Sequence, residues 1–279
     1  LFIEKIDEFD LIIFDRYKRR GILPTLYLDN IRDYVERGGA VLVAAGPDFA
    51  SADSIYRSPL GDIMPASPSA RVLEEGYTPQ VTELGEKHPV TEGLEAMYPL
   101  EEGDGPGWGR WFRLIDLIPG EGHVVMAGME ERPLLVLQRQ GEGRVALLGS
   151  DHAWLWSRGF EGGGPQLELL KRLAHWMMKE PDLEEESLTA DAVGQEMTVR
   201  RRTLGEAPED VEVTGPDGTV YTVPLEEVSP GLFQGVFEGP EMGLYRLAEG
   251  EESAVIALGP SAPREFEQTI ATGAVLEPA

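Results

Sequence analysis

FDLIIFDRYKRRGILPTLYLDNIRDYVERGGAVLVAAGPD, residues 9–48, holds two apolar runs separated by one amphipathic stretch. Phe9 to Phe14 reads as a strand buried on both faces, the pattern of a parallel sheet. From Leu26 to Glu36, the residues Leu28, Ile31, Tyr34 and Val35 recur at helical spacing. Gly38 and Gly39 stop that helix, because glycine takes a left-handed cap readily. Ala40 to Ala45 is a second buried strand. Strand, helix, strand in this order is a βαβ unit, whose crossover is right-handed.

Further along, Gly46-Pro47-Asp48 turns the chain sharply. Residues 50–70, rich in Ser, Pro and Ala, read as a surface loop or short helix. Arg71–Leu73, His123–Ala127, Leu134–Gln138 and Arg144–Gly149 read as strands, with Gly141-Glu142-Gly143 as a tight turn between the last two. Glu101 to Arg110 is a glycine-rich acidic loop. Gln166 to Lys179 is an amphipathic helix with Leu167, Leu170, Leu173, Ala174 and Met177 on one face, ended by Pro181. Beyond residue 181 the character changes. Short runs at Met197–Val199, Val211–Val213, Val220–Val223, Leu232–Phe237, Gly243–Leu247 and Ala254–Leu258, separated by Gly and Pro turns, read as the strands of a β-sandwich.

Of the 279 residues, 50 are acidic and 24 basic, a formal net charge of −26. From Asp182 onward there are 21 acids and 5 bases, which places a boundary near residue 180. Such a field repels nucleic acid and disfavours docking on anionic lipid. There is no cysteine, so disulfides, thiolate nucleophiles and zinc–thiolate sites are excluded. That absence fits the cytoplasm or a cell-envelope space alike. No stretch approaches the roughly 18 apolar residues needed to span a bilayer. The sequence opens at Leu1 and stops at Ala279 without targeting signals, and reads as a piece of a larger protein.

Three segments resemble the class I glutamine amidotransferase-like superfamily, especially its ThuA-like and membrane-protein-associated branches. They are Tyr34-Val35-Glu36-Arg37-Gly38-Gly39-Ala40 running into Val41-Leu42-Val43, then His88-Pro89-Val90-Thr91-Glu92-Gly93-Leu94, then Gly143 through His152. The resemblance covers roughly residues 1–180. It implies an α/β fold over residues 1–180, a flavodoxin-like open parallel sheet flanked by helices. A small all-β, immunoglobulin-like sandwich over 181–260 and a linker or tail over 261–279 complete the expected chain. In active members a Cys on a strand-to-helix elbow is deprotonated by a His, which a Glu two residues on orients. Here the elbow is Gly46-Pro47-Asp48, His152 takes the His position, and Trp154 stands where the acid would. The fold is therefore expected without the activity. Such domains, joined to immunoglobulin-like sandwiches, occur in bacterial inner-membrane proteins. The implied place is a soluble domain tethered to that membrane through segments outside this sequence and facing the periplasm, with the cytoplasm as the alternative.

Ligands of an open α/β sheet gather at the carboxyl ends of its strands. Three turns qualify: Asp15-Arg16-Tyr17, Gly46-Pro47-Asp48 and Ser150-Asp151-His152. Asp48 and His152 form a candidate acid–base pair, with Arg16 for an anion. Asp15, Arg16, Gly46, Pro47, Ser150, Asp151 and Trp154 are the candidate ligand-binding residues. The blander reading makes these polar residues caps and turn formers. Ser150-Asp151-His152 is no hydrolase triad, because consecutive side chains diverge and the Gly-x-Ser-x-Gly elbow is missing. Trp108, Trp111, Trp154 and Trp156 are either a recognition surface or core. His88, His123 and His175 lack metal-ligand spacing, and neither a metal nor a cofactor is implied. Arg200-Arg201-Arg202 reads as a salt-bridged strand surface. The function expected is a non-catalytic binding or scaffold module, whose partners are proteins of a membrane assembly or a small polar ligand. A hydrolase of altered chemistry in the same cleft, or a carbohydrate-binding module, is the alternative.

Overall fold

The computed structural model describes residues 2–100 and 105–259. The chain divides into two compact units, Leu1–Glu184 and Glu185–Ala279. In the first the elements run β1 (Ile12–Asp15), α1 (Thr25–Glu36), β2 (Ala40–Ala44), β3 (Ala66–Leu73), β4 (Gln80–Val81), α2 (Glu83–Lys87), α3 (Leu94–Met97), β5 (Leu114–Pro119), β6 (His123–Ala127), β7 (Pro133–Gln140), β8 (Gly143–Leu148), α4 (Trp154–Ser157) and α5 (Gln166–Met177). The main sheet has the order β1-β2-β8-β7-β6-β4. Only β1, β2 and β8 run parallel; β7, β6 and β4 are added antiparallel.

This overturns the expected α/β, flavodoxin-like parallel sheet. The sheet is mixed, and over the described residues strand outweighs helix, in four sheets that are mostly antiparallel. The reason is local. Gly141 and Glu142 alone join β7 to β8. A two-residue link connects only antiparallel neighbours, whereas a parallel return needs a crossover of about a dozen residues.

Both faces of the sheet carry a core. Val41 and Val43 point to one side, with Leu28, Ile31 and Val35 of α1 and with Val145 and Leu147. Leu42 points to the other, with Ala146, Leu148 and the Leu169, Leu173, Trp176 and Met177 face of α5. That alternation is the two-residue period of a strand. Two expectations need correction here. β1 is an edge strand, so it is not buried on both faces: Phe14 is buried but Ile13 is 58% exposed. On α5 the buried stripe runs through Leu169, Leu173 and Trp176, while Leu167 is 82% exposed.

β3 and β5 form a separate antiparallel pair. Its buried Asp116 accepts hydrogen bonds from Ser69, from Arg71 Nη2 at 2.7 Å and from Arg132 Nη1 at 2.6 Å. Burial alone would raise its pKa, but these bonds outweigh burial and hold the carboxyl below its ordinary range.

The second unit contains β9 (Ser187–Val193), β10 (Glu196–Arg202), β11 (Val211–Thr214), β12 (Val220–Val223), β13 (Glu226–Ser229), β14 (Leu232–Glu238), β15 (Gly243–Glu249) and β16 (Glu252–Leu258). They make two antiparallel sheets, β13-β14-β10-β9 and β12-β11-β15-β16. Met197, Val199, Val211, Val213, Tyr245 and Leu247 belong to one shared core. Arg200 pairs with Asp191 at the surface, but Arg201 is buried between Glu186 at 2.8 Å and Glu249 at 2.6 Å. The linker expected over 261–279 lies outside the described residues, as do 101–104 of the glycine-rich loop. Among the described residues no helix is long and apolar enough to cross a membrane.

Gly143 sits where a Cβ would run into the carbonyl oxygens of Val35 and Gly39. Gly143→Ala is expected to cost about 3 kcal/mol, read as a shift in the urea midpoint of the first unit. A loss near zero would mean that α1 can move away from the sheet.

Candidate functional site

The carboxyl ends of the three parallel strands stand side by side. Asp15 is level with Ala44, and Ala44 with Leu148. The ladder continues one step further: Arg16 N–H donates to the Ala44 carbonyl at 2.9 Å, and Ala45 N–H to that of Leu148 at 2.8 Å. The turns after β1, β2 and β8 therefore leave the sheet together.

Most of their polar groups are already engaged. Pro47 starts a 3-10 turn over Pro47–Ala50, in which Asp48 accepts from Lys18 Nζ at 2.7 Å. Gly46 lets the chain pass Arg16, since a Cβ there would stand 3.0 Å from Arg16 Cγ. Ser150 is fully buried; its hydroxyl donates to the Arg113 carbonyl at 2.6 Å and accepts from His152 N–H at 3.2 Å. Asp151 is paired with Arg113 at 3.1 Å, and Arg113 reaches on to Glu74 at 3.4 Å. His152 Nδ1 accepts the Phe112 N–H at 3.0 Å, and its Nε2 is 3.8 Å from Asp151. Burial lowers the imidazole pKa, with Asp151 opposing. The expected Asp48–His152 pair is not formed: among the described residues no hydrogen bond or ion pair joins them.

The tryptophans divide unevenly. Trp156 is buried, donates from Nε1 to the Gly109 carbonyl at 2.7 Å, and packs against Trp108 and Trp111 with ring centroids 5.0 and 4.7 Å away. These three are core. Trp154, two residues from Trp156 on the short α4, is 53% exposed.

A cleft of about 730 Å³ opens between the free face of β1 and β2 and the flank of α5. Leu11, Ile13 and Leu42 are among the apolar residues from the sheet, and Leu170 and Ala174 come from α5. Asp15, Arg16, Ser150, Asp151 and Trp154 also line it, so the structure brings these sequence candidates together. Gly46, Pro47, Asp48 and His152 are not among its lining residues. Sequence reasoning missed the apolar lining. Its signal was the breadth of apolar surface on α5, where Leu170 and Ala174 lie beside the buried stripe. Among the described residues no group of three His, Asp or Glu side chains could hold a metal ion.

No family model matches the chain, and no curated protein matches it in sequence. Solved structures do resemble it. A cytoplasmic protein from Salmonella typhimurium LT2 is 21% identical over 62% of this chain and 74% of its own, with a TM-score of 0.50, a likeness of fold alone. A second cytoplasmic protein from Salmonella typhimurium is 17% identical over 62% and 73%, with a TM-score of 0.48. A β-galactosidase from Rahnella sp. R3 is 12% identical over 85% of this chain and 33% of its own, with a TM-score of 0.40.

Because His152 titrates below its ordinary 6.5 when folded, the unfolded chain binds the extra proton first. Its contribution to stability is complete above about pH 6.5 and is lost as pH falls through the folded value. His152→Gln, which keeps an acceptor for Phe112 N–H, is expected to flatten stability between pH 5 and 7. Urea unfolding across that range checks this; an unchanged slope would mean His152 is not buried as a neutral ring.

Proposed function

We propose that the first unit is a non-catalytic binding module, related to glutamine amidotransferase-like domains, whose cleft at the ends of β1, β2 and β8 receives a ligand. One observation carries this reading. Where the resemblance would put a thiolate and its base, Asp48 is tied to Lys18, and His152 Nδ1 is occupied by a backbone N–H. Nucleophilic catalysis requires a base within reach of the nucleophile, and the two groups available are each engaged elsewhere. The altered hydrolase loses its acid–base pair on the same ground. Carbohydrate stacking across a row of indoles loses three of its four rings to the core, leaving Trp154 as the accessible one. The cleft remains open and largely apolar, as binding sites for small molecules are.

The resemblance further suggests service in a bacterial inner-membrane assembly, on its periplasmic side. Protease accessibility in spheroplasts of the source cell tests that location, with protection as the opposing result. For the activity, the purified chain is expected to release no ammonia from glutamine and to hydrolyse no simple ester. It is also expected to bind fragments that shift the Trp154 indole resonance in protein-observed NMR. Ammonia release abolished by His152→Ala would sink the reading, and so would a fragment library that leaves Trp154 unmoved.

A further inference from the structure

Arg16 is the unusual residue of the cleft. Its φ is +46°, a left-handed conformation unfavourable for any residue with a Cβ. The strand ladder holds through its N–H and the chain then turns, with Gly46 giving the space. Among the described residues its nearest carboxylate is that of Asp15, 3.6 Å from Nε, and both side chains are more than half exposed. Strain that local contacts do not repay is commonly found where a side chain is held for a ligand.

Beside the guanidinium lies uncovered aliphatic surface. Ile13 is exposed on the face of β1 that no helix covers, and the half-buried Leu170, the exposed Trp154 and the edge of the buried Leu42 line the same cleft. We propose that the cleft binds a small monocarboxylate with an extended apolar body. The carboxylate sits on Arg16, and the body lies along Ile13, Leu42 and Leu170 against Trp154. This rests on the binding-module reading and adds the class of ligand. A planar carboxylate matches the two-pronged guanidinium. One negative charge is favoured over two, because Asp15 stands at the same mouth and the chain carries a net −26. The volume, about 730 Å³, suits a small molecule, whose sites run from roughly 300 to 1,000 Å³.

Decanoate is the probe, titrated into the full chain by calorimetry and by tryptophan fluorescence, beside decan-1-ol, butyrate and decyl phosphate. Decanoate is expected to saturate one site per chain, about tenfold more tightly than decanol or butyrate, with decyl phosphate weaker than decanoate. Arg16→Asn, which tolerates the left-handed backbone, is expected to keep the melting temperature, weaken decanoate about tenfold and leave decanol unchanged. Trp154→Ala weakens decanoate and decanol together. Decanoate binding no tighter than decanol, or unaffected by Arg16→Asn, overturns the proposal. So does silence toward decanoate while neutral or cationic fragments move Trp154; in that case the binding module stands and the ligand class is wrong. A cleft that binds neither decanoate nor any fragment removes both.

Discussion

The first unit depends on a backbone-to-backbone approach at the foot of the sheet. Gly143 lies against the carbonyls of Val35 and Gly39, and Gly39 lies under the ring of Tyr34. No side chain fits at either place. The approach is locked by Gly39 N–H on the Tyr34 carbonyl at 2.9 Å, Arg144 N–H on that of Gly39 at 3.1 Å and Glu142 N–H on that of Glu36 at 3.1 Å. The end of α1 and the starts of β2 and β8 are thereby fixed together. Once Ala40 is set opposite Arg144, the parallel register follows to Ala44 opposite Leu148. The turns carrying Gly46 and Ser150 must then emerge side by side, some five residues from the constraint that places them.

The cleft is a consequence of where the sheet stops. β1 is its edge, and α1 covers only one face of it. On the other face α5 lies toward β8, burying Leu169, Leu173 and Trp176 and leaving Leu170 and Ala174 half-buried in the cleft that Ile13 also lines. Contiguous apolar surface left in water generally has a use, since it is unfavourable for the isolated fold and a hazard for aggregation. The polar groups at the mouth give that surface its direction, because they lie at one end of it, where the strands end.

How far the sequence foretold this differs from element to element. The periodicity of 26–36 and of 166–177 marked both long helices, and the apolar run of 40–45 marked β2. The order of the sheet was less legible. The parallel order cannot extend to β7 and β6, because the Gly141–Glu142 turn implies an antiparallel neighbour. β13 carries no apolar alternation, since Glu226 and Glu227 are exposed beside an exposed Val228, and β9 carries little, since its inward Ala190 and Ala192 are small and its outward Val193 is apolar. The strand-end turns were legible because topology alone gathers them. The partners of their side chains were not: Asp48 is claimed by Lys18, Asp151 by Arg113 and His152 by the backbone at Phe112, contacts that span 30 to 40 residues. Likewise nothing in the spacing of Trp154 and Trp156 says that one faces water and the other fills the core.

The engagement of these polar groups is what favours the proposed binding role over a catalytic one. A nucleophilic mechanism needs a base whose lone pair is available and an acid that orients it. Here Ser150, Asp151 and His152 are used to hold the 111–113 segment against the end of β8, through Arg113 and the Phe112 N–H. The groups without such duties are Asp15, the Arg16 guanidinium, the Trp154 ring and the aliphatic face of β1. They are a solvated carboxylate, a cation, an aromatic surface and an apolar face, and no imidazole or hydroxyl partner is bonded to that carboxylate among the described residues. In the proposed binding role, charge at one end of the cleft and apolar area along its length would set which molecule fits.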